Sequence, residues 1–149
     1  MKKAIRTVEK KRLNTRFQEY GMAQLNQLKK TSGQKERNSR MIVQEVKSYI
    51  NNHLQEELSV DFLAKRVYVS TAYLCHVFKK EENKTLVEYI TQARLFYAAE
   101  LLKDSNNSVS CVAASVGYNN YCYFTKVFKK IYGMSPSQYQ QKCSLRIGK

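Results

Sequence analysis

From residue 39 onward, apolar side chains return every third or fourth position, and short clusters of Ser, Asn, Gly and Asp separate the runs. That spacing predicts helices, and no period-two alternation is long enough for a useful strand. Ser39 reads as the cap of a first helix with Ile42, Val46, Tyr49, Ile50 and His53 inward. Ser59 caps a short helix over 60–67 carrying Phe62, Leu63 and Val67, with Asp61 near the positive end of its dipole. Tyr68-Val69 turns the chain. Ser70 starts a helix with Leu74, Val77 and Phe78 buried, stopped near Asn83, a residue that tolerates the left-handed conformation.

Thr85 and Glu88 have the spacing of a capping box, opening a longer helix over 86–103. Its predicted stripe is Leu86, Ile90, Ala93, Tyr97 and Leu101, and Asp104-Ser105-Asn106-Asn107 ends it. Ser108 caps a helix over 109–116 with Val109, Val112, Ala113 and Val116, Gly117-Tyr118 makes the turn, and Asn120 caps the next helix. After Gly133, Ser135-Pro136-Ser137-Gln138 opens a closing helix, with a capping serine, proline at the first helical position and glutamine three residues after the cap.

The chain also repeats itself. Tyr73-Leu74-Cys75-His76-Val77-Phe78-Lys79-Lys80 returns fifty residues later as Tyr123-Phe124-Thr125-Lys126-Val127-Phe128-Lys129-Lys130. The apolar framework and paired lysines are kept, while Cys75/Thr125 and His76/Lys126 differ. One supersecondary unit written twice accounts for this. A short helix, a turn and a second helix with a polar front is either a helix-turn-helix or an ordinary packed pair. The positions facing away from the core are Thr71, Ala72, Cys75, His76 and Lys79 in one copy, and Tyr121, Cys122, Thr125, Lys126 and Lys129 in the other. These small, polar or cationic groups suit base edges and backbone, and Lys79-Lys80 and Lys129-Lys130 suit flanking phosphates. At about 1.5 Å per residue the intervening helix is roughly 27 Å long, near the roughly 34 Å turn of DNA.

Charge strengthens the polyanion reading. The 149 residues carry a net +14, of which +9 falls in residues 1–40. Residues 1–38 read as a basic, partly helical or flexible arm, with Leu13, Phe17, Tyr20 and Leu28 in loose helical spacing broken by Gly21. Thr31-Ser32-Gly33-Gln34 has linker composition. Cys75, Cys111, Cys122 and Cys143 form no C-x-x-C pair, so reduced thiols and no metal site are expected. No apolar run approaches a membrane span and no secretory signal is present, which points to the cytoplasm. No phosphate-binding loop, carboxylate pair or serine elbow supports an enzyme or a cofactor.

Leu63-Ala64, Ser70-x-x-Tyr73-Leu74, Phe78-Lys79-Lys80, Tyr89, Arg94, Ala98 and Leu101-Leu102, then Val112-Ala113, Val116-Gly117-Tyr118, Tyr123-Phe124, Phe128-Lys129-Lys130, Gly133 and Ser135-Pro136-x-x-Tyr139 together resemble the DNA-binding domain of AraC/XylS-type transcription regulators. The resemblance spans about residues 40–142. It implies an all-α domain of about seven helices over 39–142: one helix-turn-helix subdomain at about 39–84, a linker helix at 86–103, a second subdomain at 108–142, and a tail from 143. It implies sequence-specific binding of double-stranded promoter DNA, with activation through RNA polymerase and no membrane role. Monomeric DNA binding is open to such a chain.

By position, base contacts fall to Thr71, Ala72, Cys75 and His76 in the first copy and Tyr121, Cys122 and Lys126 in the second. Phosphate contacts fall to Lys79, Lys80, Thr125, Lys129 and Lys130. Gln140 replaces a frequent arginine. The repeats look most like response-regulator output domains, with the arm resembling the helical segment after a receiver. The competing expectation is a non-catalytic module that binds a partner regulator or RNA polymerase without specific DNA; a third gives the arm an RNA or membrane-surface role.

Overall fold

The computed structural model describes residues 32–147. The expected arm before residue 32 lies outside the described residues, as do the last two. Among the described residues there are seven helices and no strand: α1 Ser32–Asn52, α2 Val60–Arg66, α3 Thr71–Glu82, α4 Leu86–Leu102, α5 Val109–Ser115, α6 Tyr121–Tyr132 and α7 Pro136–Ile147. They divide into two compact units. One comprises Ser32–Asn52 together with Leu58–Glu88; the other comprises His53–Glu57 and residues 89–147.

In the first unit, α1 buries Ile42, Val43, Val46, Tyr49 and Ile50, a helical spacing of one face. α2 and its end contribute Leu63, Ala64 and Val67, and α3 contributes Leu74, Val77 and Phe78. Each large apolar side chain so buried contributes roughly 1.5–3 kcal/mol relative to exposure. The Arg66 guanidinium lies 4.1 Å from the Tyr49 ring centroid and 5.7 Å from that of Phe62. Lys47 Nζ meets Glu82 Oε1 at 2.9 Å, and Arg40 Nε meets Glu81 Oε2 at 3.5 Å, so α1 engages both acids at the end of α3.

Two expectations for α1 are corrected. Ser39 is not its cap: the helix already runs from Ser32, so Ser32-Gly33-Gln34 is its first turn rather than a linker. Gln34, Lys35, Glu36 and Arg37 are good helix formers with no proline among them. Ser39 is buried inside the helix, its Oγ donating to Lys35 O at 2.9 Å and lying 3.3 Å from the Tyr73 hydroxyl. His53 is not on the inward face of the helix, because α1 stops at Asn52 and His53 joins the segment 53–57. Asn51 and Asn52 favour a stop, since asparagine side chains compete for backbone partners; Asn52 Nδ2 donates to Ser48 O at 2.9 Å.

The second unit buries Leu95, Ala98, Ala99 and Leu102 of α4 with Val112, Ala113, Val116, Phe124 and Phe128. The predicted α4 stripe therefore fails in part. Leu86 and Ile90 are buried, but Tyr97 is exposed and Ala93 and Leu101 are only half-buried. Apolar residues surround most of this helix, leaving no single face for periodicity to select. Aromatic rings fill the far end of the core: Phe128 stacks on Tyr132 at 4.5 Å between centroids, and Tyr139 of α7 meets both edge-on at 5.5 and 5.4 Å.

Local chemistry sets the helix ends. Ser59, Ser70, Ser108 and Asn120 each accept from the backbone N–H three residues on. Thr85 with Glu88, and Ser135 with Gln138, exchange reciprocal bonds. Asn83 and Gly133 close α3 and α6 in the left-handed conformation, at φ 61 and 76°.

Candidate nucleic-acid interface

The turn before each second helix is built the same way. After α2, Tyr68 N donates to Lys65 O and Val69 N to Ala64 O; after α5, Gly117 N donates to Ala114 O and Tyr118 N to Ala113 O. This paired pattern satisfies the last carbonyls of the short helix and requires a left-handed residue, Tyr68 at φ 57° and Gly117 at φ 95°. The second turn has one more residue before its cap, Asn119, which the sequence offset of fifty conceals.

Capping and burial then orient α3 and α6. Ser70 Oγ accepts from Tyr73 N at 3.1 Å, and Asn120 Oδ1 from Tyr123 N at 3.0 Å. With Leu74, Val77 and Phe78 inward in one unit and Phe124 and Phe128 inward in the other, the opposite faces meet solvent. Thr71, Ala72, Cys75 and His76 are exposed on α3, as are Tyr121, Cys122 and Lys126 on α6. Lys79, Lys80, Lys129 and Lys130 are exposed in the last turns, where the helix dipole favours cations.

Thr125 differs from the other phosphate candidates. It is half-buried, and its Oγ1 donates to Tyr121 O at 3.0 Å, so its only proton is committed within the helix. The thiols of Cys75, Cys111 and Cys122 are free and exposed. Among the described residues no group of His, Cys, Asp and Glu could hold a metal ion, and no helix is long and apolar enough to cross a membrane.

The two helix-turn-helix pairs differ in acidic residues. From Ser105 through Ile147 there is no Asp or Glu, whereas Asp61, Glu81 and Glu82 belong to α2 and α3. Lysines on α6 thus have no acid on their own helix or on α5 and α7.

Arg94 stands in the sequence only as one position of the motif, with no sign of what it holds. Its Nε donates to Leu54 O at 3.1 Å and its Nη2 to Glu56 O at 2.8 Å, and its guanidinium lies 5.8 Å from the Tyr118 ring. Burial pushes the Arg94 pKa down, although guanidinium remains charged. Burial pushes the Tyr118 phenol up while the Arg94 charge opposes it. A Cβ on Gly117 would collide with the Leu54 carbonyl oxygen and come within 3.0 Å of Arg94 Cζ. Arginine, loop and turn therefore interlock within the second unit. Gln140, which stands where the resembling family often has arginine, donates to Asp104 O at 3.2 Å and Asn107 O at 2.7 Å.

A helix-turn-helix domain family matches residues 63–142. The regulatory protein SoxS of Escherichia coli is 31% identical over 101 residues, which is 68% of this chain and 94% of SoxS. Two further curated transcription regulators are matched over 34% and 36% of their own length, so the chain spans about a third of those relatives. Among solved structures, the C-terminal domain of AraT, a response regulator from Geobacillus stearothermophilus, is 33% identical with a TM-score of 0.66, covering 68% of this chain and 84% of that one. The DNA-binding domain of AdpA, a global transcriptional factor solved with a target DNA, is 27% identical with a TM-score of 0.67, covering 70% and 94%.

Proposed function

The chain belongs to the AraC-type helix-turn-helix family, and on that premise we propose that it is a sequence-specific DNA-binding transcription regulator whose helices α3 and α6 enter the major groove of promoter DNA. The observation that carries this reading is the likeness of its fold to a domain solved on its target DNA, AdpA. The exposed fronts of α3 and α6, with their terminal lysine pairs, support it. In this reading Ala72, Cys75, His76, Tyr121, Cys122 and Lys126 face bases, and Lys79, Lys80, Lys129 and Lys130 face phosphates. Ala72 and Cys75 offer apolar contact, as to a thymine methyl, and Lys126 suits guanine O6 and N7.

The regulator acts in the cytoplasm, where it activates transcription by contacting RNA polymerase, and it has no catalytic step. The likeness to AraT supports an output role downstream of a receiver. Helices α1 to α7 form the DNA-binding part, and the basic residues before α1 are an appendage to it.

The decisive measurement is binding of the full chain to duplexes selected from a random pool, compared with unselected duplex at physiological salt. Selected duplexes are expected to bind at least about a thousandfold more tightly. Equal affinity would leave only a polyanion-binding protein, and capture of RNA polymerase without any duplex binding would replace the reading with a protein-interaction module.

A further inference from the structure

Thr71 opens α3, and its Oγ1 lies 2.8 Å from Asp61 Oδ1 in the first turn of α2; both residues are exposed. An ionised carboxylate has acceptors only, so the proton between them is the hydroxyl's. A threonine hydroxyl has one proton and two lone pairs. With the proton turned toward Asp61, what Thr71 offers outward is acceptor capacity and a methyl group.

We propose that Thr71, held by Asp61, is an obligate acceptor that reads an amino base, adenine through N6 or cytosine through N4, and that Asp61 is its positioning residue. This rests on the reading that α3 enters a major groove. Thymine O4 and guanine O6 are acceptors and would meet lone pairs, so a keto base is rejected at that position. Phosphate oxygens are likewise acceptors, and the Asp61 carboxylate repels them, so Thr71 is a base-reading rather than a backbone-positioning group. The second unit lacks the device: Ser110 and Tyr121 stand at the corresponding positions of α5 and α6.

Selection from a random duplex pool, run with the full chain and with Thr71→Val, Asp61→Ala and Asp61→Asn, tests the assignment. The unmodified chain is expected to enrich adenine or cytosine over guanine or thymine by about tenfold at one position. Thr71→Val and Asp61→Ala flatten that position and leave the rest of the site intact. Asp61→Asn keeps the preference, because its amide oxygen still accepts the hydroxyl proton while the charge is gone; this separates the hydrogen bond from electrostatics. An unchanged preference in Thr71→Val or Asp61→Ala overturns the proposal while leaving specific DNA binding in place. Failure of the unmodified chain to select any site instead removes the groove-binding reading, and the proposal with it.

Discussion

Tyr68 and Gly117 occupy the same left-handed position in two otherwise similar turns, and they should respond to substitution in opposite ways. Tyr68 is exposed at φ 57°, so glycine there relieves about 1–2 kcal/mol of backbone cost and loses about 0.5–1 kcal/mol through the unfolded state. Tyr68→Gly is expected to leave stability unchanged or raise it by up to about 1 kcal/mol in urea unfolding. Gly117→Ala combines the same backbone cost with collision against Leu54 O and Arg94, and a loss of at least about 2 kcal/mol is expected in the same measurement. A loss in Gly117→Ala no larger than the backbone cost of about 1 kcal/mol would show that the interlock around Arg94 contributes nothing. The caps at Ser59, Ser70, Ser108 and Asn120 were legible because cap and partner lie three residues apart. The partners of Arg94 are backbone carbonyls some forty positions away, and a carbonyl carries no residue identity for a sequence pattern to reveal.

At the level of helices, the start of α4 should sense acid. Hydrogen bonds donated by the Thr85 N–H and hydroxyl hold the Glu88 carboxyl below its usual range, with smaller help from Lys79 and Lys84. A depressed carboxylate contributes stability above its unfolded pKa, about 4.3, and that contribution fades as pH falls through the lower folded value. Glu88→Gln keeps a capping partner but removes the titration, as Gln138 does for Ser135. Its melting temperature is therefore expected to fall less steeply than that of the unmodified chain between pH 5 and 3; parallel curves would discount the box. On α6, Lys126→Ala is expected to cost about 1–3 kcal/mol chiefly at one base position, and Lys129→Ala to weaken all duplexes and reduce the salt slope by about one. Fluorescence anisotropy across a salt series separates the two. Helix positions were largely readable, but the buried face of α4 was not: Phe96 and Leu95 are both apolar, and only tertiary packing decides that Leu95 goes inside and Phe96 stays exposed.

For the whole molecule, duplication of the framework does not imply duplication of the reading. Thr71 paired with Asp61 offers acceptors, while Lys126 offers donors with no acid between Ser105 and Ile147. The operator is expected to be asymmetric, and rising salt should erase footprint protection over the half-site contacted by α6 before the half-site contacted by α3. Simultaneous loss of both halves would mean that the charge difference is immaterial to binding. The candidate surface was legible from the repeat because inward residues name outward ones on a helix; the Thr71–Asp61 pairing was hidden because ten residues and a turn separate the partners. The segment His53–Glu57 has a different kind of consequence. It is encoded within the first half of the duplication, yet its carbonyls are held by Arg94 in the second unit. Without residues 53–57 the Arg94 guanidinium would lose these carbonyl partners, so the second half of the duplication does not encode its own unit in full and depends on five residues written before the linker helix.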